Sequence, residues 1–332
     1  MMNYDLILQT AHENQERWRP CCQVDHIVVD ANNLNFRISY MAREEGVDGI
    51  LVGILEKLVM LKWWYGAKAV HVVWEGQGRN WRYDYLPDYK ANRKGIEDDG
   101  LREMTIEVRS RLRSLLRGTV FKQYDPVDGE GDDGFGTLAT QLAEAGDTVG
   151  IYSMDGDLLQ LTTDKILCIV PKRGDVDVAL NAEKVVEKLG FGLVPSQIKE
   201  LKGLEGDTGD NIPGVPGIGK KIATGLIAQY GTLDGVIEAA QSPDLDKIEG
   251  ESKTKYAKRI KEEFGATEKK RNSILEFETQ ARKSRDAGGI KTDIELKVLE
   301  HDPSLAKKLE GEIRYLGASD YLLERLESFR YG

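Results

Sequence analysis

Sulfur and imidazole are scarce in this chain: its 332 residues include three cysteines, Cys21, Cys22 and Cys168, and four histidines, His12, His26, His71 and His301. The cysteines are too few for a disulfide framework and lack Cys or His partners at zinc spacing, which suggests a reducing, cytoplasmic setting. With no histidine pair at ligand spacing, any metal site has to be built from oxygen. Long apolar runs are missing too. None approaches the roughly eighteen residues of a membrane span, and Met1–Pro20 is too polar for a signal peptide. Positive charge is in deficit, with 46 Lys and Arg against 56 Asp and Glu and a formal net charge of −10.

What is present is ordinary in amount and uneven in placement. A hydrophobic fraction of 40% suits a globular protein of one large or two modest domains. Phosphate binding draws on Lys and Arg, and their distribution matters more than the sum. Arg79–Lys94 holds Arg79, Arg82, Lys90, Arg93 and Lys94 against Asp84 and Asp88. Lys247–Lys261 holds Lys247, Lys253, Lys255, Lys258, Arg259 and Lys261 against Glu249 and Glu251. No internal repeat or low-complexity tract interrupts the chain.

Short apolar runs alternate with helical patterns. His26–Asp30 reads as a buried strand ending on an acid, Asp48–Tyr65 as a helix, and Ala69–Trp74 as a second strand. Gly76–Gly100 is a long polar stretch rich in Arg, Lys and Tyr, a length that in a compact domain is functional or disordered. Leu101–Arg117 has an amphipathic stripe, and its Arg109, Arg111, Arg113 and Arg117 face either solvent or a polyanion. Val120–Tyr124, Asp132–Glu144 and Val149–Ser153 continue the alternation, and Lys165–Val170 is expected to close a right-handed parallel α/β sheet, with sites at the carboxyl ends of its strands. From about Leu180 the pattern turns helical, over Asn181–Leu189, Pro195–Gly203, Ile218–Tyr230, Leu233–Ala240 and Ser252–Phe264. Beyond Lys270 the segments carry little signal.

Acids collect where such a sheet would present them. Asp30 ends the first strand and Glu75 the second; Glu130, Asp132 and Asp133 open a helix; Asp155 and Asp157 follow a strand. Each cluster alone also fits helix caps or turn residues. Together they would repel, and bound divalent cations are the simplest compensation. Carboxylate and water ligation suits Mg²⁺ or Mn²⁺. Two such ions about four ångströms apart can activate water and stabilise a leaving oxygen in phosphodiester hydrolysis. That chemistry needs no Ser or Cys nucleophile, and no such constellation is seen.

The most specific string is Gly206–Ala223, GDTGDNIPGVPGIGKKIA. Gly214, Gly217 and Gly219 bracket Val215 and Ile218 before a helix that starts near Lys220 and Lys221. Glycines permit close backbone approach to a phosphate, and a helix start offers free N–H groups. This is helix–hairpin–helix grammar, which grips duplex backbone without reading sequence. Asp207 and Asp210 lie just upstream.

These strings, with VVDANNLNFR (Val28–Arg37), NWRYDYLPDYKANRK (Asn80–Lys94), EGDDGFGTLA (Glu130–Ala139) and YSMDGDLLQL (Tyr152–Leu161), occur in the order of a known family. The chain resembles the flap endonuclease and 5′→3′ exonuclease superfamily, nearest to bacteriophage exonucleases and the 5′-nuclease domain of bacterial DNA polymerase I, over roughly Ile27 to Gly231. The resemblance implies a PIN-like, mostly parallel twisted sheet flanked by helices. Its divisions would be a lead over residues 1–25, a nuclease core over 26–178 with a helical arch inserted at about 76–117, a helix–three-turn–helix subdomain over 179–275, and a C-terminal extension over 276–332. With no polymerase domain in the chain, a stand-alone, monomeric nuclease is expected, in a host bacterial cytoplasm if phage-encoded.

By position, the resemblance puts Asp30, Glu130, Asp132 and Asp155 around a tighter metal, and Asp157, Asp207 and Asp210 around a second, with Asp133 supporting. Lys90 and Arg93 look like the arch's catalytic basic pair, Arg82 like a further phosphate contact, and Tyr89 and Tyr85 like stacking partners for an unpaired base. Gly214, Gly217, Gly219, Lys220 and Lys221 look like the duplex clamp, which in relatives commonly holds a monovalent cation such as K⁺. The substrates implied are DNA with 5′ ends, flaps or nicks, or RNA–DNA hybrid, in replication, repair or recombination. One position departs: the second strand usually ends in Asp, and Glu75 reaches a methylene further. A non-catalytic DNA-binding protein and a PIN-type ribonuclease are the alternatives.

Overall fold

A computed structural model describes residues 22–76, 78–93, 98–171, 177–302, 304–305, 311, 314–316 and 320–328. Most of the N-terminal lead and the tip of the polar insertion, including Lys94, lie outside the described residues.

Strand β1 (His26–Asp30) is flanked in parallel by β2 (Ala69–Val73) and β4 (Val149–Tyr152). Its interior residues have no solvent exposure, which is why it reads as a continuous apolar run rather than an alternation. Outward from β2 comes β3 (Lys122–Pro126), and outward from β4 comes β5 (Ile166–Val170), both parallel. The expectation that Lys165–Val170 closes the sheet is corrected. Short antiparallel strands β6 (Val178–Leu180) and β7 (Leu296–Leu299) flank the two edges, giving among the described residues the order β6-β5-β4-β1-β2-β3-β7. Neither was legible: β6 has three residues, and β7 alternates weakly with exposed Lys297 and Val298.

Helices cover both faces. On one lie α1 (Ala31–Met41), α2 (Gly46–Trp64) and α3 (Asp99–Leu116). Leu51, Leu55 and Leu58 of α2 pack on Ile27, Val29 and Val70, and Leu322, Leu323 and Leu326 close the same core from a C-terminal helix over Asp320–Ser328. On the other face α4 (Gly131–Glu144) lays Phe135 and Leu138 over Val28, Val73 and Ile151, while α5 (Ala182–Leu189) adds Val185.

The remaining helices form a second lobe with its own core: α6 (Ile198–Glu205), α7 (Lys220–Tyr230), α8 (Leu233–Gln241), α9 (Lys253–Phe264), α10 (Glu268–Glu276) and α11 (Glu278–Gly288). Val215 and Ile218, the apolar residues of the glycine hairpin, are buried in it with Leu204, Leu226 and Ile274. After α11 the chain returns along α4 to β7. Lys291 N–H donates to Asp133 at 2.9 Å and Ile294 N–H to Thr137 Oγ1 at 3.2 Å. A small cluster of Leu86, Tyr89, Ile212 and Ala287 joins the polar insertion, the hairpin loop and α11 where the lobes meet.

Candidate active site

Asp30 is both the last residue of β1 and the N-cap of α1, accepting from Asn33 N–H at 2.9 Å. Ser153, just past β4, donates to its other oxygen at 3.1 Å. Burial, with the charges of Glu75 and Asp155 close by, pushes the Asp30 carboxyl up to about 6 in spite of those two donors. Burial also pushes Asp132 well above the usual carboxylate range, assisted by Asp155, Asp30 and Glu130. Asp30 thus lies within electrostatic reach of Glu75, Asp155 and Asp132, and Asp132 within reach of Asp155 and Glu130. Glu75 is held lightly, by Asn32 Nδ2 at 3.4 Å and Gly131 N–H at 3.5 Å.

A second group lies beside the first. Carboxylate oxygens of Asp157, Asp207 and Asp210 fall within 4.8 Å of one another. A tight turn presents the last two: Asp207 and Ile212 exchange backbone hydrogen bonds at 2.8 Å, and Asn211 takes φ 55° between them. Lys202 of α6, absent from the sequence-based set, bonds Asp157 at 2.5 Å and Asp207 at 2.9 Å. Burial works against its charge, yet the two acids hold its ammonium above the ordinary lysine range. Lysine is so seldom buried unpaired that nothing in the string IKELKGLEGD marks it.

Basic residues of the polar insertion reach directly onto the acids. Lys90 Nζ donates to Glu130 at 2.7 Å, and Arg93 is ion-paired with Asp210. Lys90 sits at φ 57°, a left-handed conformation fixed by its N–H bond to the Asp210 carbonyl at 2.8 Å. Asn92 Nδ2 donates to Thr208 O and Asn211 Nδ2 to Asp88 O, each at 2.6 Å, so the insertion and the Asp207–Asp210 loop hold each other in place.

Two expectations are corrected by burial, those for Arg82 and Tyr89. Arg82 is 2% exposed and does not face a phosphate. It forks onto Asp133 at 2.6 and 3.0 Å and donates to the carbonyls of Ala287 and Gly289. Asp133 also accepts from Trp81 Nε1, Glu130 N–H and Lys291 N–H, which fills its lone pairs and leaves a structural, supporting role. Tyr89 is 3% exposed, so its ring is not offered to a base; its hydroxyl lies 3.0 Å from both Glu130 and Asp210. Tyr85 is at the surface, edge-on to Trp81.

In the hairpin the glycines divide their work. A Cβ on Gly214 would lie 2.4 Å from the Glu205 carbonyl, Gly217 needs φ 79°, and Gly219 opens to free space as the N-cap of α7. That helix start has no side-chain cap, and Lys220 and Lys221 beside it are exposed. Among the described residues no helix is long and apolar enough to cross a membrane.

Known proteins share this plan. The 5′-3′ exonuclease N-terminal resolvase-like domain matches residues 25–190, and the 5′-3′ exonuclease C-terminal SAM fold matches residues 193–310. DNA polymerase I of Bacillus subtilis is 30% identical over 90% of this chain, which spans about a third (32%) of that relative's length. A 5′-3′ exonuclease of Buchnera aphidicola is 29% identical, covering 65% of this chain and 75% of its own. The solved structure of T5 5′-exonuclease with bound zinc ions shares the fold, with a TM-score of 0.62 at 20% identity over 92% of this chain and 98% of that one. The strand-end acids, the glycine hairpin and the two matched domains together make this chain a member of the 5′-3′ exonuclease family.

Proposed function

We propose that this protein is a divalent-metal-dependent nuclease that hydrolyses DNA at 5′ ends, flaps and nicks, including RNA–DNA hybrid at primer ends. The observation that supports it best is the convergence of two acid groups from two lobes with Lys90 and Arg93 seated on them. Relatives described as DNA polymerase I and 5′-3′ exonuclease, and a T5 flap endonuclease solved with DNA and metal ions, accord with this.

The donor set fits hard cations: every group is a carboxylate, and the raised Asp30 and Asp132 mark charge that lacks compensation. Asp30, Glu75, Glu130, Asp132 and Asp155 would hold one ion, and Asp157, Asp207 and Asp210 a second. Mg²⁺ or Mn²⁺ there would supply water activation and charge neutralisation at the phosphodiester. The chain's own groups do the rest. Lys90 and Arg93, released from Glu130 and Asp210, meet the phosphate that replaces those carboxylates as their partner. Lys202 orients Asp157 and Asp207, helps to hold Asp207 below the usual carboxylate range and opposes the burial that raises Asp157. Tyr89 ties Glu130 to Asp210 and spaces the two acid groups. The uncapped start of α7, with Lys220 and Lys221, takes duplex phosphates, and the hairpin is the place for a K⁺ ion. The exposed Lys255, Lys258 and Lys261 of α9 extend that basic surface.

The test is incubation with a 5′-end-labelled flap, a nicked duplex and single-stranded RNA, with and without Mg²⁺. Metal-dependent release of a short 5′ product from the flap is expected. Cleavage of RNA alone would favour a ribonuclease, and binding without cutting a non-catalytic binder. Asp155→Asn should abolish turnover and leave duplex binding intact; loss of both would refute this division of labour.

A further inference from the structure

The arginines of α3 have different fates. Arg113 forks onto Asp125 at 2.8 and 2.6 Å and lies 5.0 Å over the Trp74 ring. Arg111 bonds Asp48 at 2.7 Å, and Arg117 donates to the Glu300 carbonyl at 3.3 Å. Arg109 has neither a hydrogen bond nor an ion pair among the described residues, although it is half-buried. A guanidinium drawn partly out of water without an acceptor is costly, and it is tolerated where an anion completes it.

Its place in the fold says which anion. Helix α3 leads into the start of β3, so it runs against the strand direction. Arg109 precedes Arg113 by one turn, roughly 6 Å along the axis, which carries it from the level of Trp74 toward the strand end where Glu75 stands. Burial and the Arg113 charge lower its proton affinity while Glu75 and, after it, Asp125 raise it, as expected of a cation that lies near these acids but is bonded to neither. Glu75 is itself the loosely held member of that group.

We propose that Arg109 is a further substrate-binding residue, gripping a backbone phosphate of the strand as it passes Glu75. Lys90 and Arg93 serve the Glu130 and Asp210 side of the acids, and Arg109 gives the Glu75 side its own phosphate contact. This rests on the nuclease reading above, and the experiment separates the two.

Binding of a fluorescent 5′-flap duplex is measured by anisotropy in EDTA, where no strand is cut, over a series of salt concentrations. Arg109→Ala should weaken binding roughly tenfold, the size of one lost charge-assisted hydrogen bond. It should also reduce the slope of log affinity against log salt by about one. Arg109→Lys should keep the slope, and Arg111→Ala should leave both quantities at wild-type values. Thermal unfolding of each variant, unchanged within a degree or so, confirms that folding is intact. An Arg109→Ala slope equal to wild type overturns the inference. Failure of the wild-type protein to bind or cut the flap overturns the nuclease reading instead.

Discussion

Single residues carry more structural duty at this site than their charge suggests. Arg82 and Asp133 form a buried fork that also anchors the Ala287 and Gly289 carbonyls, Trp81 and the Lys291 amide. Removing one partner strands a charge and several polar groups, a loss of about 3–5 kcal/mol. Arg82→Ala is therefore expected to lower the urea midpoint sharply, and an unchanged midpoint would show the fork to be dispensable. Both residues fall in strings that read as functional, and the contacts each makes are architectural. The sequence shows residue type and spacing; it does not show that Arg82 points into the protein, because that direction is set by carbonyls some two hundred residues later.

At the scale of elements, the legible parts were those with strong period or punctuation. The buried parallel strands, α2 and the hairpin fall close to where apolar runs and glycines place them. Helix α1 went unread because Asn32, Asn33 and Asn35 interrupt its pattern, and only its Asp30 cap reveals it. The returning segment after α11 was opaque for a different reason: it gains its structure by pairing with β3 and crossing α4, not from local propensity. That crossing is tight. A Cβ on Gly136 would meet the Lys291 carbonyl at 2.6 Å and Ile290 at 2.7 Å. Gly136→Ala should cost about 1–3 kcal/mol by prising the segment from α4. Faster amide exchange at Ile294 than at core strands would locate the damage there, and an unaltered Tm would argue against the close fit.

For the whole molecule, the gathered acids set a balance between stability and function. A carboxyl whose pKa is higher folded than unfolded binds more protons in the native state, so its ionisation costs stability. For Asp30 that cost appears as pH rises from 3.8 to about 6 and is complete above it. In EDTA at neutral pH, Asp30→Asn should therefore be more stable than the parent, by on the order of 1–2 kcal/mol after solvent screening. The advantage should shrink as pH falls toward 3.8. Adding Mg²⁺ should reverse the order, because the ion binds and stabilises only the native parent. Calorimetric scans at two pH values with and without Mg²⁺ measure all of this. A variant less stable than the parent in EDTA would mean that Asp30 is held by its donors more than it is strained by its neighbours.

The clasp on Arg82 also bears on time. Its acceptors at Ala287 and Gly289, and the strand that pairs with β3, come late in the chain. A growing polypeptide can assemble β1, β2 and the hairpin long before those residues emerge. It cannot complete the clasp on Arg82 until they do. During synthesis, then, Lys90 and Asn92 can meet Glu130 and the Asp207–Asp210 loop early, while the Arg82 end of the insertion stays without its carbonyl anchors until residues past Gly289 have left the ribosome.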